Sequence, residues 1–302
     1  MKKFIIYCLL FIYITDAEAL RSIKKDISPP SNIQYIIENY IENGDRSTEI
    51  GIAIHKDNLD SDIKLPTVVF IHGGGWRSGD KQQNAWQCFN YANKGFVAIT
   101  ISYRLLDEAP FPQCIIDVKT ALRFIKSLSK KYPIDVENIG VWGYSAGAHL
   151  ALMIALEDSS DLFNSGLYSA FDSKVKCAVA IAAPTYLQNR AGGKDKKLSD
   201  EQNNDEKFKA QISPITYVNS KQIPILMMHG TRDKIVSSKH YKSFASKCKL
   251  KEVENFSLIE VDQGDHGFYF KNKDNLLMVS NYFEKMLKNA KNDPKMIKND
   301  QK

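Results

Sequence analysis

Short apolar runs separated by helix-length stretches set the rhythm of this chain. Runs at about 49–55, 67–71, 96–101, 139–143, 175–181, 223–229 and 256–261 read as strands, several of them near-continuous in Val and Ile. Strands apolar along their whole length are those covered on both faces. Their alternation with helical stretches predicts an α/β fold with a mostly parallel central sheet and helices on both faces. Ile139-Gly140-Val141-Trp142 predicts a short buried strand, and Ala148-His149-Leu150-Ala151-Leu152-Met153-Ile154-Ala155 a helix packed on the sheet. The chain shows no internal repeat, and 302 residues with 43% hydrophobic content suffice for the core of one large domain.

The two ends depart from this pattern. Lys2 and Lys3 precede the apolar run Phe4 to Ile14, followed by Ala17-Glu18-Ala19, an A-x-A cleavage signature. The expected organisation is a signal peptide over 1–19, a domain over 20–288 and a flexible basic tail over 289–302. The apolar run is far shorter than the roughly 20 residues a membrane helix needs, so a secreted or periplasmic protein without stable membrane insertion is expected. An uncleaved anchor is the alternative, because Asp16 and Glu18 are unusual just before a cleavage point. Export would permit disulfides, and Cys88, Cys114, Cys177 and Cys248 allow three pairings. Cys177, in a core-like strand, reads as a small buried hydrophobe. No cysteine has metal-ligand spacing, so no metal is expected. The net charge of +6 is mild and partly resides in the tail lysines, which does not point to nucleic acid.

Four motifs carry chemistry. Gly143-Tyr144-Ser145-Ala146-Gly147 lies between the strand and helix just named, the setting of a nucleophile elbow. His72-Gly73-Gly74-Gly75-Trp76 directly follows the apolar run Thr67 to Ile71. Acyl transfer builds negative charge on a carbonyl oxygen, and the backbone N–H groups of Gly73, Gly74 and Ala146 are the expected oxyanion hole. No Lys-Ser/Thr follows the glycines at phosphate-loop spacing. His229-Gly230-Thr231-Arg232-Asp233 ends one strand and Gly264-Asp265-His266-Gly267-Phe268 follows another. Serine is a poor nucleophile at neutral pH, so an imidazole must take its proton and a carboxylate must fix that imidazole. Ser145, Asp233 and His266 supply the three in the chain order of α/β-hydrolases. Asp262 and Asp265 are rivals to Asp233, but a carboxylate on the histidine's own short loop is badly placed to reach the far ring nitrogen. His72 reads as a structural residue at a strand end, and His149, one helical turn past Ser145, as helix packing.

These motifs, with Ser102-Tyr103-Arg104-Leu105, Ala109-Pro110-Phe111-Pro112 and Ser213-Pro214-Ile215-Thr216-Tyr217, resemble one family over about residues 48 to 285. It is the α/β-hydrolase esterases of the BD-FAE and hormone-sensitive-lipase-like group, related to kynurenine formamidase and the prolyl-oligopeptidase lineage. The resemblance implies a cofactor-free serine carboxylesterase acting on short acyl esters, including acetyl or feruloyl groups on polysaccharides. Tyr144 departs from the family, where a smaller residue often precedes the nucleophile. Trp76 and Tyr144 flank the reacting groups and are expected to bind substrate. Asp80, Arg104 and Asp117 are expected to brace the site as buried ion pairs. A polar insertion at about 185–211 is expected on the active-site side, and its poverty in large apolar residues favours small or polysaccharide-borne esters over long-chain triglycerides. An amidase, formamidase or peptidase using the same triad is one alternative reading, and a catalytically silent small-molecule binding protein is another.

Overall fold

Among the described residues eight strands, one more than the apolar pattern predicts, build one sheet: β1 (Ile33–Asn39), β2 (Glu49–His55), β3 (Leu65–Ile71), β4 (Val97–Ile101), β5 (Ile134–Tyr144), β6 (Cys177–Ile181), β7 (Ile225–Gly230) and β8 (Phe256–Val261). Their order across the sheet is β1-β2-β4-β3-β5-β6-β7-β8. The β1–β2 and β2–β4 pairs are antiparallel and all others parallel. The computed structural model describes residues 28–59, 62–157, 163–187 and 198–288. The expected signal peptide, the 289–302 tail and residues 188–197 of the polar insertion lie outside the described residues.

The extra strand β1 is an edge strand, paired on one side with β2. Solvent reaches much of it, Ile37 being 43% exposed, so its sequence lacks the continuous apolar run that marks an inner strand. The N-terminal half of β5 was likewise hidden by polar residues, and the β3–β5 register shifts between Leu65 and Thr67.

Eight α-helices are described: α1 (Ala85–Asn93), α2 (Gln113–Ser127), α3 (Ala146–Leu156), α4 (Asp200–Asn204), α5 (Glu206–Gln211), α6 (Lys239–Leu250), α7 (Phe268–Lys271) and α8 (Lys273–Phe283). Side chains alternate across a strand, so β3 sends Val69 and Ile71 to one core and Val68 and Phe70 to the other. The first core is roofed by α2, α3 and α6 through residues such as Val118, Leu150 and Phe244. The second is closed by α1 and α8 through Phe89, Val279 and Phe283. Each fully buried side chain of this size contributes roughly 1.5–3 kcal/mol. All four cysteines in the described residues are buried and free, and Cys177 packs in the second core.

The described part of the polar insertion is helical. Ser199 and Gln202 form a capping box on α4, and the Asp205 side chain caps α5. Ser199 and Asp205, polar residues of the insertion, are thus the caps of two short helices, and Leu198 and Ile212 are buried beside them. Arg104 and Asp117 form an ion pair at 2.5 Å, with the Asp117 side chain 1% exposed. Asp80 differs from expectation: it pairs with Arg46 at the surface, 2.7 Å away, and caps the turn Lys81–Asn84.

The consequence for the site is directional. β3, β5, β6, β7 and β8 run parallel, so their C-terminal ends open on one edge of the sheet, the edge where such sheets place ligands.

Candidate active site

Between the end of β5 at Tyr144 and the start of α3 at Ala146 the chain turns within a single residue, Ser145. Its φ of 54° and ψ of −118° lie where an L-residue is strained, at a cost of about 1–3 kcal/mol. The flanking glycines make the turn possible. A Cβ on Gly143 would lie 2.1 Å from the Gly147 carbonyl oxygen, and one on Gly147 would lie 2.1 Å from that of Ile71. The Ser145 N–H donates to Ile181 O at 2.8 Å, which ties the elbow to the end of β6.

The loops after β7 and β8 bring two side chains to this serine. His266 Nε2 lies 3.0 Å from Ser145 Oγ, and His266 Nδ1 lies 2.7 Å from Asp233 Oδ2. Burial pushes the Asp233 carboxyl up, but the hydrogen bond from His266 and the N–H groups of Val236 and Ile235 hold it below its ordinary value. Those two N–H groups donate to the other carboxylate oxygen, Oδ1, at 2.9 and 2.8 Å. An ionised carboxylate only accepts, so Nδ1 of His266 carries the proton and Nε2 faces the serine as an acceptor. Ser145 is 8% exposed and the His266 side chain 16%, so the pair is sheltered yet open at one side. The rival acids are engaged elsewhere: Asp262 accepts from Thr231 Oγ1, and Asp265 pairs with Lys271.

The glycine loop after β3 lies against the elbow. A Cβ on Gly73 would sit 3.4 Å from Ser145 Cβ and 2.9 Å from the Tyr144 carbonyl oxygen. Gly74 has a φ of 105°, and its carbonyl accepts from the N–H groups of Arg77 and Ser78, which closes the turn. Ala146 is the first residue of α3, and N–H groups in a first helical turn have no partner within the helix. His72 does not face the serine. Its ring is buried, stacks on Tyr103 at 4.2 Å and donates from Nδ1 to Gly73 O at 2.8 Å. Burial brings its pKa down to about 4, so it stays neutral.

Trp76 is 2% exposed and packs beneath the loop, with its ring 5.7 Å from Phe111 and 5.2 Å from His149. His149 is fully buried and donates from Nε2 to Ile212 O at 2.8 Å, so it joins α3 to the end of the insertion. Tyr144 is half-buried, and its hydroxyl donates to the His266 carbonyl at 3.0 Å. Sequence reasoning missed that bond and the part played by His229. His229 is fully buried and donates from Nε2 to Val236 O at 2.9 Å, which holds the loop that caps Asp233. Its place four residues before Asp233 in the motif was the available signal. Among the described residues no group of three His, Cys, Asp or Glu side chains is arranged to hold a metal ion.

Comparison with known proteins follows this geometry. The BD-FAE family model matches residues 54–248. LipM, a probable carboxylic ester hydrolase of Mycobacterium tuberculosis, is 28% identical over 255 residues, covering 79% of this chain and 59% of LipM. The chain spans about half to three-fifths of the length of the mycobacterial relatives it matches. A truncated carbohydrate esterase from gut microbiota shares the fold with a TM-score of 0.74 at 23% identity, covering 86% of this chain and 99% of that one. The propionate-bound form of a thermophilic esterase from Thermogutta terrifontis does so with a TM-score of 0.68 at 24% identity, covering 84% and 95%. The sheet is thus that of an α/β-hydrolase.

Proposed function

Because the chain belongs to the BD-FAE family, we propose that it is an exported serine carboxylesterase that hydrolyses short-chain acyl esters through an acyl-enzyme. The observation that carries this reading is the unbroken line from Asp233 Oδ2 through the His266 ring to Ser145 Oγ, at 2.7 and 3.0 Å. His266 Nε2 takes the proton as Ser145 Oγ attacks the ester carbonyl, and Asp233 balances the imidazolium that forms. The N–H groups of Gly73, Gly74 and Ala146 receive the oxyanion. Losing one such donor typically costs on the order of 10²–10³ in turnover. The alcohol leaves with the proton from His266, and water then releases the acid by the same steps in reverse order.

Trp76, seated beneath the glycine loop, and Tyr144, bonded to the His266 carbonyl, support the reacting groups from behind rather than contact the substrate. The polar character of the insertion suits soluble or polysaccharide-borne esters. A same-fold protein is a carbohydrate esterase, which makes acetylated and feruloylated sugars the first natural substrates to try. The basic, then apolar, then A-x-A order of residues 1–19 supports export. Among the described residues no helix is long and apolar enough to cross a membrane.

The test is hydrolysis of p-nitrophenyl esters from acetyl to dodecanoyl, with Ser145→Ala in parallel. Activity that peaks at short chains and disappears in the variant is expected, together with organophosphate labelling at Ser145. Labelling at another residue, or faster turnover of a matched anilide than of the ester, would overturn the proposal.

A further inference from the structure

We propose that Tyr144 is a positioning residue that holds His266 in line with Ser145, a role that rests on reading Ser145, His266 and Asp233 as a hydrolytic triad. The geometry is a closed circuit. The Tyr144 hydroxyl donates to the His266 carbonyl at 3.0 Å, and the same residue's Nε2 meets Ser145 Oγ at 3.0 Å. Tyr144 and Ser145 are covalent neighbours, so two contacts that share one backbone edge fix the base relative to the nucleophile. Asp233 and Ser145 hold the two ring nitrogens, and the Tyr144 bond fixes the His266 backbone from which the ring projects.

The ring of Tyr144 adds two more constraints. Its centroid lies 5.1 Å from that of His266 and 5.0 Å from that of Phe270, in a near-perpendicular contact with the latter. On its other side, a Cβ placed on Gly73 would meet Tyr144 Cδ1 at 3.0 Å, so the ring also lies against the glycine loop. One side chain therefore touches the elbow, the glycine loop and the histidine loop. The rest of the histidine loop is anchored toward the acid: the Arg232 N–H donates to Gly264 O at 2.9 Å. Tyr144 supplies the matching anchor toward the serine. Burial, reinforced by the charges of Asp233 and Asp265, raises the phenol's pKa, so the hydroxyl remains a donor across the neutral range.

Tyr144→Phe tests the role, because it keeps the ring and removes only the hydroxyl. The first readout needs no substrate: the far-downfield proton resonance of the His266 Nδ1–H bonded to Asp233, assigned by its loss in His266→Gln. In Tyr144→Phe this resonance is expected to broaden and its exchange with water to quicken about five- to tenfold. The second is hydrolysis of p-nitrophenyl acetate, where kcat is expected to fall about five- to tenfold with KM within about twofold. A wild-type protein that shows the resonance but cleaves no ester would refute the esterase reading while leaving the first readout to decide this one. An unchanged resonance in Tyr144→Phe overturns the proposal, as does an unchanged kcat in an enzyme that turns over. A rise in KM at constant kcat also overturns it, since that pattern belongs to a substrate contact.

Discussion

Lowering the pH from 7 to 5 should destabilise this protein through histidines far from its surface. His72 and His149 are 1% and 0% exposed. Each gives one ring N–H to a backbone carbonyl, Gly73 O and Ile212 O, at 2.8 Å. Protonation would have to occur at the other nitrogen, His72 Nε2 or His149 Nδ1, and neither has a hydrogen-bond partner among the described residues. Burial therefore dominates, and brings both pKa values from 6.5 down to about 4. The carbonyl bonds oppose the shift in each case. A histidine whose folded pKa lies below its unfolded one weakens the fold as pH drops, because the unfolded chain binds the proton first. Each contribution is absent above about pH 7, grows as pH falls through 6.5 and levels off near 4. Integrating the two titrations gives a loss of about 4 kcal/mol between pH 7 and pH 5, with a slope near pH 5.5 of about 2.4 kcal/mol per pH unit. His229 is shifted in the same direction by burial and adds to the loss. A loss of that size is a large share of the roughly 5–15 kcal/mol that holds a domain together. Urea unfolding followed by circular dichroism at several pH values measures it, with unchanged slope and a moving midpoint. His149→Gln should flatten the profile by about 2 kcal/mol over the same interval, whatever its stability at pH 7. A wild-type loss below about 1 kcal/mol would refute the reasoning, since it would mean that the buried rings take up protons as easily as free ones.

Two further outcomes follow from the site. Asp233→Asn removes the acceptor that fixes the His266 tautomer, and kcat for p-nitrophenyl acetate should drop roughly 10⁴-fold with little change in KM, as steady-state kinetics would show. Gly147→Ala would place a methyl group 2.1 Å from the Ile71 carbonyl and 2.5 Å from that of His72, both backbone. The elbow must then move, so this variant should lose organophosphate labelling at Ser145 and melt at a lower temperature than Ser145→Ala.

Much of this molecule is written locally. The apolar runs of β3, β4 and β6 mark strands covered on both faces, because a strand whose two faces both leave water must be apolar at successive positions. The elbow is local in part: the strain at Ser145 and the close approach of Gly143 to the Gly147 carbonyl arise within five positions, whereas Gly147 is needed because the end of β3 packs against it. The polar insertion shows where local reading stops, since Ser199 and Asp205 cap helices only once α4 and α5 have a core to dock on. Edge strand β1 shows the same limit, because solvent on its open side removes the apolar signal.

What the sequence by itself determined was the alternating α/β order, the elbow and the supply of a serine, an acid and a histidine beyond strand ends. Tertiary structure alone decided which groups meet. His266 lies 121 residues from Ser145 and 33 from Asp233, and their approach depends on the parallel register of β5 to β8. The same register turns Asp262 and Asp265 outward, sets His229 under the acid's loop and brings the Tyr144 hydroxyl to the His266 carbonyl. Backbone sterics and side-chain polarity act over a few residues, whereas a hydrogen bond between distant loops exists only once the whole sheet has fixed both ends.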